Sequence, residues 1–307
     1  PADSLDRVVR FVAASNPAFS NDPTKIAIYN SLIKVFGASG RIEAAEELYL
    51  KLASANLDLT LPSLALCKVY CQEGLMEKAE ELFYGLEKNG IPISNKSSYL
   101  VALIRGWAKL GNIQQTRKYF NQSGLKDESH LRTIAFAALI QCYANCGLPG
   151  DAGFAYKDLR NQGLAASPSI FESMIRSFIP GKDITGANRW FQKILGAKLL
   201  RPSMGMFEAL MRAQMAGGEN LVAWKTFAKS LSAFKYIRSK SSRVHISFSM
   251  AEALVDNIRG KHIDYLRDHM RLAFVPVAHR GEVLAKLMYV SLNHSTAAPD
   301  SKLALTI

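Results

Sequence analysis

Apolar positions along the chain recur with helical spacing, and the spacing itself recurs as a block. In residues 29–49, YNSLIKVFGASGRIEAAEELY, two apolar stripes flank Gly40 and Arg41, which predicts two helices joined by a tight turn. The block returns as SLALCKVYCQEGLMEKAEELF from Ser63, LVALIRGWAKLGNIQQTRKYF from Leu100 and FAALIQCYANCGLPGDAGFAY from Phe136. It returns again as FESMIRSFIPGKDITGANRWF from Phe171 and FEALMRAQMAGGENLVAWKTF from Phe207. Each copy closes on an aromatic: Tyr49, Phe83, Phe120, Tyr156, Phe191 and Phe227, at steps of 34, 37, 36, 35 and 36 residues.

Further columns hold in register. Four residues before each closing aromatic stand Ala45, Ala79, Thr116, Ala152, Ala187 and Ala223, small enough for two helices to approach closely. Leu32, Leu66, Leu103, Leu139, Met174 and Leu210 form an apolar column on the first helices. Gly40, Gly74, Gly111, Gly147, Gly181 and Gly218 are placed to end each first helix in a left-handed conformation. A repeat of about 35 residues whose hairpins bury their faces only against neighbours predicts an all-α fold. Its expected form is a right-handed α-solenoid of stacked antiparallel helix pairs. Residues 1–25, with SLDRVVRFVAA and the loop SNPAFSNDPTK, read as an N-terminal cap, and 26–230 as about six repeats. Residues 231–290 read as a C-terminal helical cap and 291–307 as a flexible tail.

Two helical-repeat families share this period. Tetratricopeptide repeats need a small residue one place after the first-helix Leu, where this chain has Ile33, Cys67, Ile104, Ile140, Ile175 and Met211. They also want Ala three places after the closing aromatic, where Leu52, Leu86, Ser123, Leu159, Ile194 and Ser230 stand. Bulky residues in both columns, with YNSLIKVFGASG and MEKAEELFYGLEKNGI, resemble the pentatricopeptide repeat (PPR) family over residues 26–230. The resemblance implies an organellar protein of RNA metabolism whose first helices line a concave RNA-binding face. In that family the residue after the opening aromatic, with the last residue of the repeat, reads one base. That column here is Asn30, Leu64, Val101, Ala137, Glu172 and Glu208, of which only Asn30 has the expected chemistry. The repeat ends, Leu59 or Thr60, Ser94, Arg132, Ser167 and Ser203, contain no Asp or Asn. Base-by-base reading of a single strand is therefore not expected.

Charge changes the picture. The sequence carries a formal +12, which points to an anionic partner or to solubility. Residues 221–307 hold 13 Lys/Arg against 6 Asp/Glu, leaving +5 of the total for the first 220 residues. One turn beyond the base-reading column stand Lys34, Lys68, Arg105, Gln141, Arg176 and Arg212. Five of the six are basic and share that helical face. The column reads as a phosphate-binding ridge, against the plainer reading of a solvated face. A second basic stretch, 227–245, interleaves Lys229, Lys235, Arg238, Lys240 and Arg243 with Phe234 and Tyr236. Such aromatics either stack on unpaired bases or pack against the next helix.

At 49% apolar, the chain can bury a substantial core, and no apolar run reaches the length of a membrane span. Four cysteines in 307 residues fit a reducing compartment. The chain begins at Pro1, and any targeting segment is expected to lie outside this sequence. Cys67/Cys71 and Cys142/Cys146 each offer at most half of a metal site. His262 and His269 stand seven residues apart on a predicted helix, too far for joint ligation. No His is followed two places later by Glu and no CxxC occurs, so a deaminase extension is not expected. Neither catalysis, cofactor nor metal is expected. The expected function is a non-catalytic PPR-type RNA-binding protein of organellar gene expression. The favoured setting is a structural component of the mitochondrial ribosome in the matrix, against rRNA and neighbouring proteins. The alternatives are a protein–protein scaffold or an mRNA processing or stability factor, and the alternative compartment is the chloroplast stroma.

Overall fold

A computed structural model describes residues 23–54, 59–88, 96–125, 128–196 and 202–220, with 222–223, 225–226 and 229–230. Among them are eleven continuous helices and no strand. The helices are α1 (Pro23–Ala38), α2 (Ile42–Ser54), α3 (Thr60–Glu73), α4 (Met76–Lys88), α5 (Lys96–Lys109) and α6 (Ile113–Gln122). They continue as α7 (Ser129–Asn145), α8 (Pro149–Asn161), α9 (Pro168–Arg176), α10 (Ile184–Gly196) and α11 (Met204–Ala216). Odd-numbered helices are the first helices of the predicted hairpins and even-numbered ones the second. The chain divides into two compact units, residues 1–138 and 139–307. The predicted helix at 4–14, the C-terminal cap and the tail lie outside the described residues.

Within the first unit α1 packs on α2 and α3, α3 on α4 and α5, and α5 on α6. Within the second, α9 packs on α8, α10 and α11, and α10 on α11. The recurring columns explain this order. Ala45, Ala79, Thr116, Ala152, Ala187 and Ala223 are all fully buried, as are Ile33, Cys67, Ile104, Ile140, Ile175 and Met211. A small residue on the second helix lets the first helix come close, and a bulky one fills the space beside it.

Successive repeats are joined by the closing aromatic, which meets the opening position of the next copy. Phe120 packs edge-on against Phe136 in the first unit, with ring centroids 4.9 Å apart. In the second unit Tyr156 meets Phe171 at 5.8 Å and Phe191 meets Phe207 at 5.0 Å. Where the opening position is Ser63 rather than an aromatic, a hydrogen bond of 3.2 Å to the Tyr49 hydroxyl takes the place of ring packing.

First helices end in one way. An N–H at the turn that follows donates to a carbonyl five residues back: Arg41 to Phe36, Leu75 to Tyr70, Asn112 to Trp107, Leu148 to Tyr143, Asp183 to Phe178 and Glu219 to Gln214. The turn requires a positive φ, supplied by Gly40, Gly74, Gly111, Gly147 and Gly218. The fifth copy corrects the sequence reading. Gly181 is not left-handed; Lys182, at φ 53°, holds that place. Lys182 stands nine residues before Phe191, the offset that each left-handed Gly keeps from its closing aromatic.

Candidate nucleic-acid interface

In the first unit the basic column is realised on three adjacent first helices: Lys34 on α1, Lys68 on α3 and Arg105 on α5. All three side chains are exposed, and no carboxylate lies within salt-bridge distance of them among the described residues. They feel one another. The Lys68 ammonium is held below the ordinary lysine value, first by partial desolvation and then by the charges of Lys34 and Arg105. An anion would relieve that mutual repulsion. Lys109, one turn beyond Arg105, is exposed and donates to the Gln72 carbonyl.

The neighbouring base-reading column is closed off. Leu64 and Val101 are buried. Asn30 is half-buried; with its amide turned so that nitrogen faces the Leu61 carbonyl on α3, it donates there at 3.2 Å and accepts from Lys34 Nζ at 3.2 Å. Its hydrogen-bonding capacity is engaged in joining α1 to α3 and in holding Lys34.

The second unit differs. Its members of the basic column are Gln141 and Arg176, both exposed, and Arg212, half-buried. Arg176 Nη1 lies 3.5 Å from Glu172 Oε1, one turn back on α9, so one cation is paired with a member of the base-reading column. The repeat-end serines serve local structure. Ser167 exchanges a hydrogen bond with Ser169 at 2.8 Å, and Ser203 Oγ accepts from the Met206 N–H as the N-cap of α11. Lys229 is exposed. Lys235, Tyr236, Arg238, Lys240 and Arg243 lie outside the described residues, as do His262 and His269. Cys67, Cys71 and Cys142 are buried, and Cys146 is exposed. No group of three metal-ligating side chains occurs among the described residues, and no described helix is long and apolar enough to cross a membrane.

Two residues that sequence reasoning passed over belong to this part of the molecule. Glu46 on α2 accepts from the Tyr70 hydroxyl at 2.9 Å and from Lys78 Nζ at 2.7 Å. Glu80 on α4 accepts from Trp107 Nε1 at 2.9 Å and from the Tyr119 hydroxyl at 2.7 Å. Tyr119 also shares a hydrogen bond with Tyr84 at 3.1 Å. Burial, then these bonds, push the Tyr119 phenol far above its usual range. The signal was in the sequence: both Glu stand three places before a closing aromatic, in AAEELY and KAEELF.

Comparison with known proteins bears on the repeats and on the fold. The PPR repeat family matches residues 27–57 and 66–91, which cover the first two copies of the pattern. These two stretches are PPR repeats. Its fold resembles that of the pentatricopeptide repeat protein PPR10 in complex with an 18-nucleotide psaJ RNA element, with a TM-score of 0.63 and 16% identity. A cysteine-to-serine variant of that complex gives the same values. PPR10 from maize also matches, with a TM-score of 0.49, 12% identity, and coverage of 100% of this chain and 43% of that one. The match to each RNA complex takes in 99% of this chain and 42% of PPR10, so this chain spans about two-fifths of the length of the structures it resembles. No curated protein sequence matches it. The likeness in fold places its hairpins in the α-solenoid class.

Proposed function

We propose that this PPR protein binds RNA without acting on it chemically, gripping phosphates of structured RNA rather than reading bases. The observation that carries this reading is the trio Lys34, Lys68 and Arg105, exposed, without a carboxylate partner among the described residues, and mutually repelling. Beside it, the base-reading column is buried at Leu64 and Val101 and engaged within the protein at Asn30. Phosphate contacts position a protein on nucleic acid and carry no sequence information. A setting in which the RNA target is fixed by assembly suits such a surface, and a structural place in the mitochondrial ribosome, against rRNA and neighbouring proteins in the matrix, fits it best. The Glu172–Arg176 pair favours a second reading for the second unit, that of a scaffold holding protein. An organellar mRNA processing or stability factor would share the chemistry of the first unit and differ in its target.

Filter binding over a range of salt tests the phosphate reading. Weak sequence preference and a steep loss of affinity with salt are expected; tight, salt-insensitive selection of one short single strand would overturn it. Crosslinking in the native organelle, followed by sequencing of the bound RNA, tests the setting. Recovery of rRNA supports the ribosomal place, and recovery of a single mRNA leader removes it.

A further inference from the structure

We propose that Glu46 and Glu80 are positioning residues for RNA binding, each locking the next first helix so that its cation faces the phosphates. This inference rests on the phosphate reading of the first unit. Each carboxylate sits on the second helix of one repeat and holds both helices of the next. Glu46 on α2 takes Tyr70 of α3 and Lys78 of α4; Glu80 on α4 takes Trp107 of α5 and Tyr119 of α6. Gripping both helices fixes the rotation of one hairpin against the next, which packing of apolar faces alone leaves softer.

The donors stand in a telling place. Tyr70 follows Lys68 by two residues on α3, and Trp107 follows Arg105 by two on α5. Two residues on a helix are about 200° apart, so the anchored aromatic lies across the helix axis from the exposed cation. Holding one side holds the direction of the other. Charge-assisted hydrogen bonds of this length are strong as well as directional. Among the described residues the device is seen at these two joints. The positions matching Glu46 and Glu80 in the later repeats are Arg117, Gly153, Asn188 and Trp224, with no carboxylate among them. The carboxylate clamps thus lie behind Lys68 and Arg105, which have no carboxylate partner among the described residues, whereas behind Arg176, paired with Glu172, the matching position is Gly153.

Simultaneous engagement of three cations along one phosphate backbone depends on their spacing, and this is what the clamps would control. The test is RNA binding by Glu80→Gln and by Trp107→Phe, which removes the donor and keeps the ring, each alone and combined with Arg105→Gln. The probe is a fluorescein-labelled RNA hairpin of mixed sequence, with helix content checked by circular dichroism. The slope of log affinity against log salt reports the number of phosphates engaged, at roughly 0.7–0.9 per contact. Each single variant should flatten that slope by about one contact, as Arg105→Gln does, and the combinations should flatten it no further. Slopes equal to wild type, or losses that add to that of Arg105→Gln, would overturn the positioning role even where thermal stability falls. Wild-type binding that ignores salt would overturn the phosphate reading and the inference with it.

Discussion

At the scale of single residues, the strictest requirement in this chain is for smallness where helices cross. Ala45, Ala79, Ala152 and Ala187 have no exposed surface, so a larger side chain must displace its neighbours. Ala79→Leu is expected to lower the unfolding free energy by about 1–3 kcal/mol, measurable as a shift of the urea midpoint. The polar contacts make a different demand. Glu46 has its carboxyl pKa lowered, first by the hydrogen bond from Lys78, against some opposition from burial and with help from Tyr70. A depressed folded pKa means that the contact stabilises above the ordinary carboxylate range and that this is lost as pH falls through the lowered value. Glu46→Gln should therefore reduce stability near neutral pH and make the acid limb of a pH–stability profile shallower. A variant whose acid limb matched the wild type would show that Glu46 contributes nothing to it.

At the scale of elements, the hairpins owe their close approach to two glycines that lack any turn role. A Cβ on Gly37 of α1 would lie 2.2 Å from Val69 Cγ2 on α3, and one on Gly106 of α5 would lie 2.5 Å from Met76 Sδ. The two sites differ in what they can yield. Val69 is β-branched and stiff, whereas the Met76 side chain is adaptable. Gly37→Ala is thus expected to cost more stability than Gly106→Ala, roughly 1–3 kcal/mol against less than about 1.5. Paired urea titrations would check the order, and the reverse order would remove the explanation. The hairpin turns show how far element-level reading reaches. Five glycines are legible as left-handed turn formers, but at the fifth turn a nearby Gly181 drew the reading one place away from Lys182. Register against Phe191 locates the position; residue preference alone does not.

At the scale of the molecule, the two compact units carry different chemistry on the same helix columns. The first presents Lys34, Lys68 and Arg105 without a carboxylate partner among the described residues, and the second includes an ion pair, Arg176 with Glu172. If affinity for RNA follows unneutralised charge, Lys34→Gln, Lys68→Gln and Arg105→Gln together should flatten the salt slope by roughly 2–3 contact equivalents. Arg176→Gln, which also releases Glu172, should change it by less than one. Fluorescence anisotropy over a salt series separates these outcomes, and equal effects from the two sets would contradict the division.

The sequence by itself determined the repeat, its length and the surface column of cations, because periodicity and residue size act through local geometry that every copy shares. It also showed that the base-reading column had lost its chemistry at five of six positions, since Leu, Val and Ala offer no hydrogen bonds and Glu repels phosphate. Only the tertiary structure decided what the sixth position does. Asn30 is defined as much by the Leu61 carbonyl, 31 residues away in the chain, as by its own amide. The same holds for the carboxylate clamps, whose members come from five different helices. Contacts between repeats depend on which faces meet, and no single repeat contains that information.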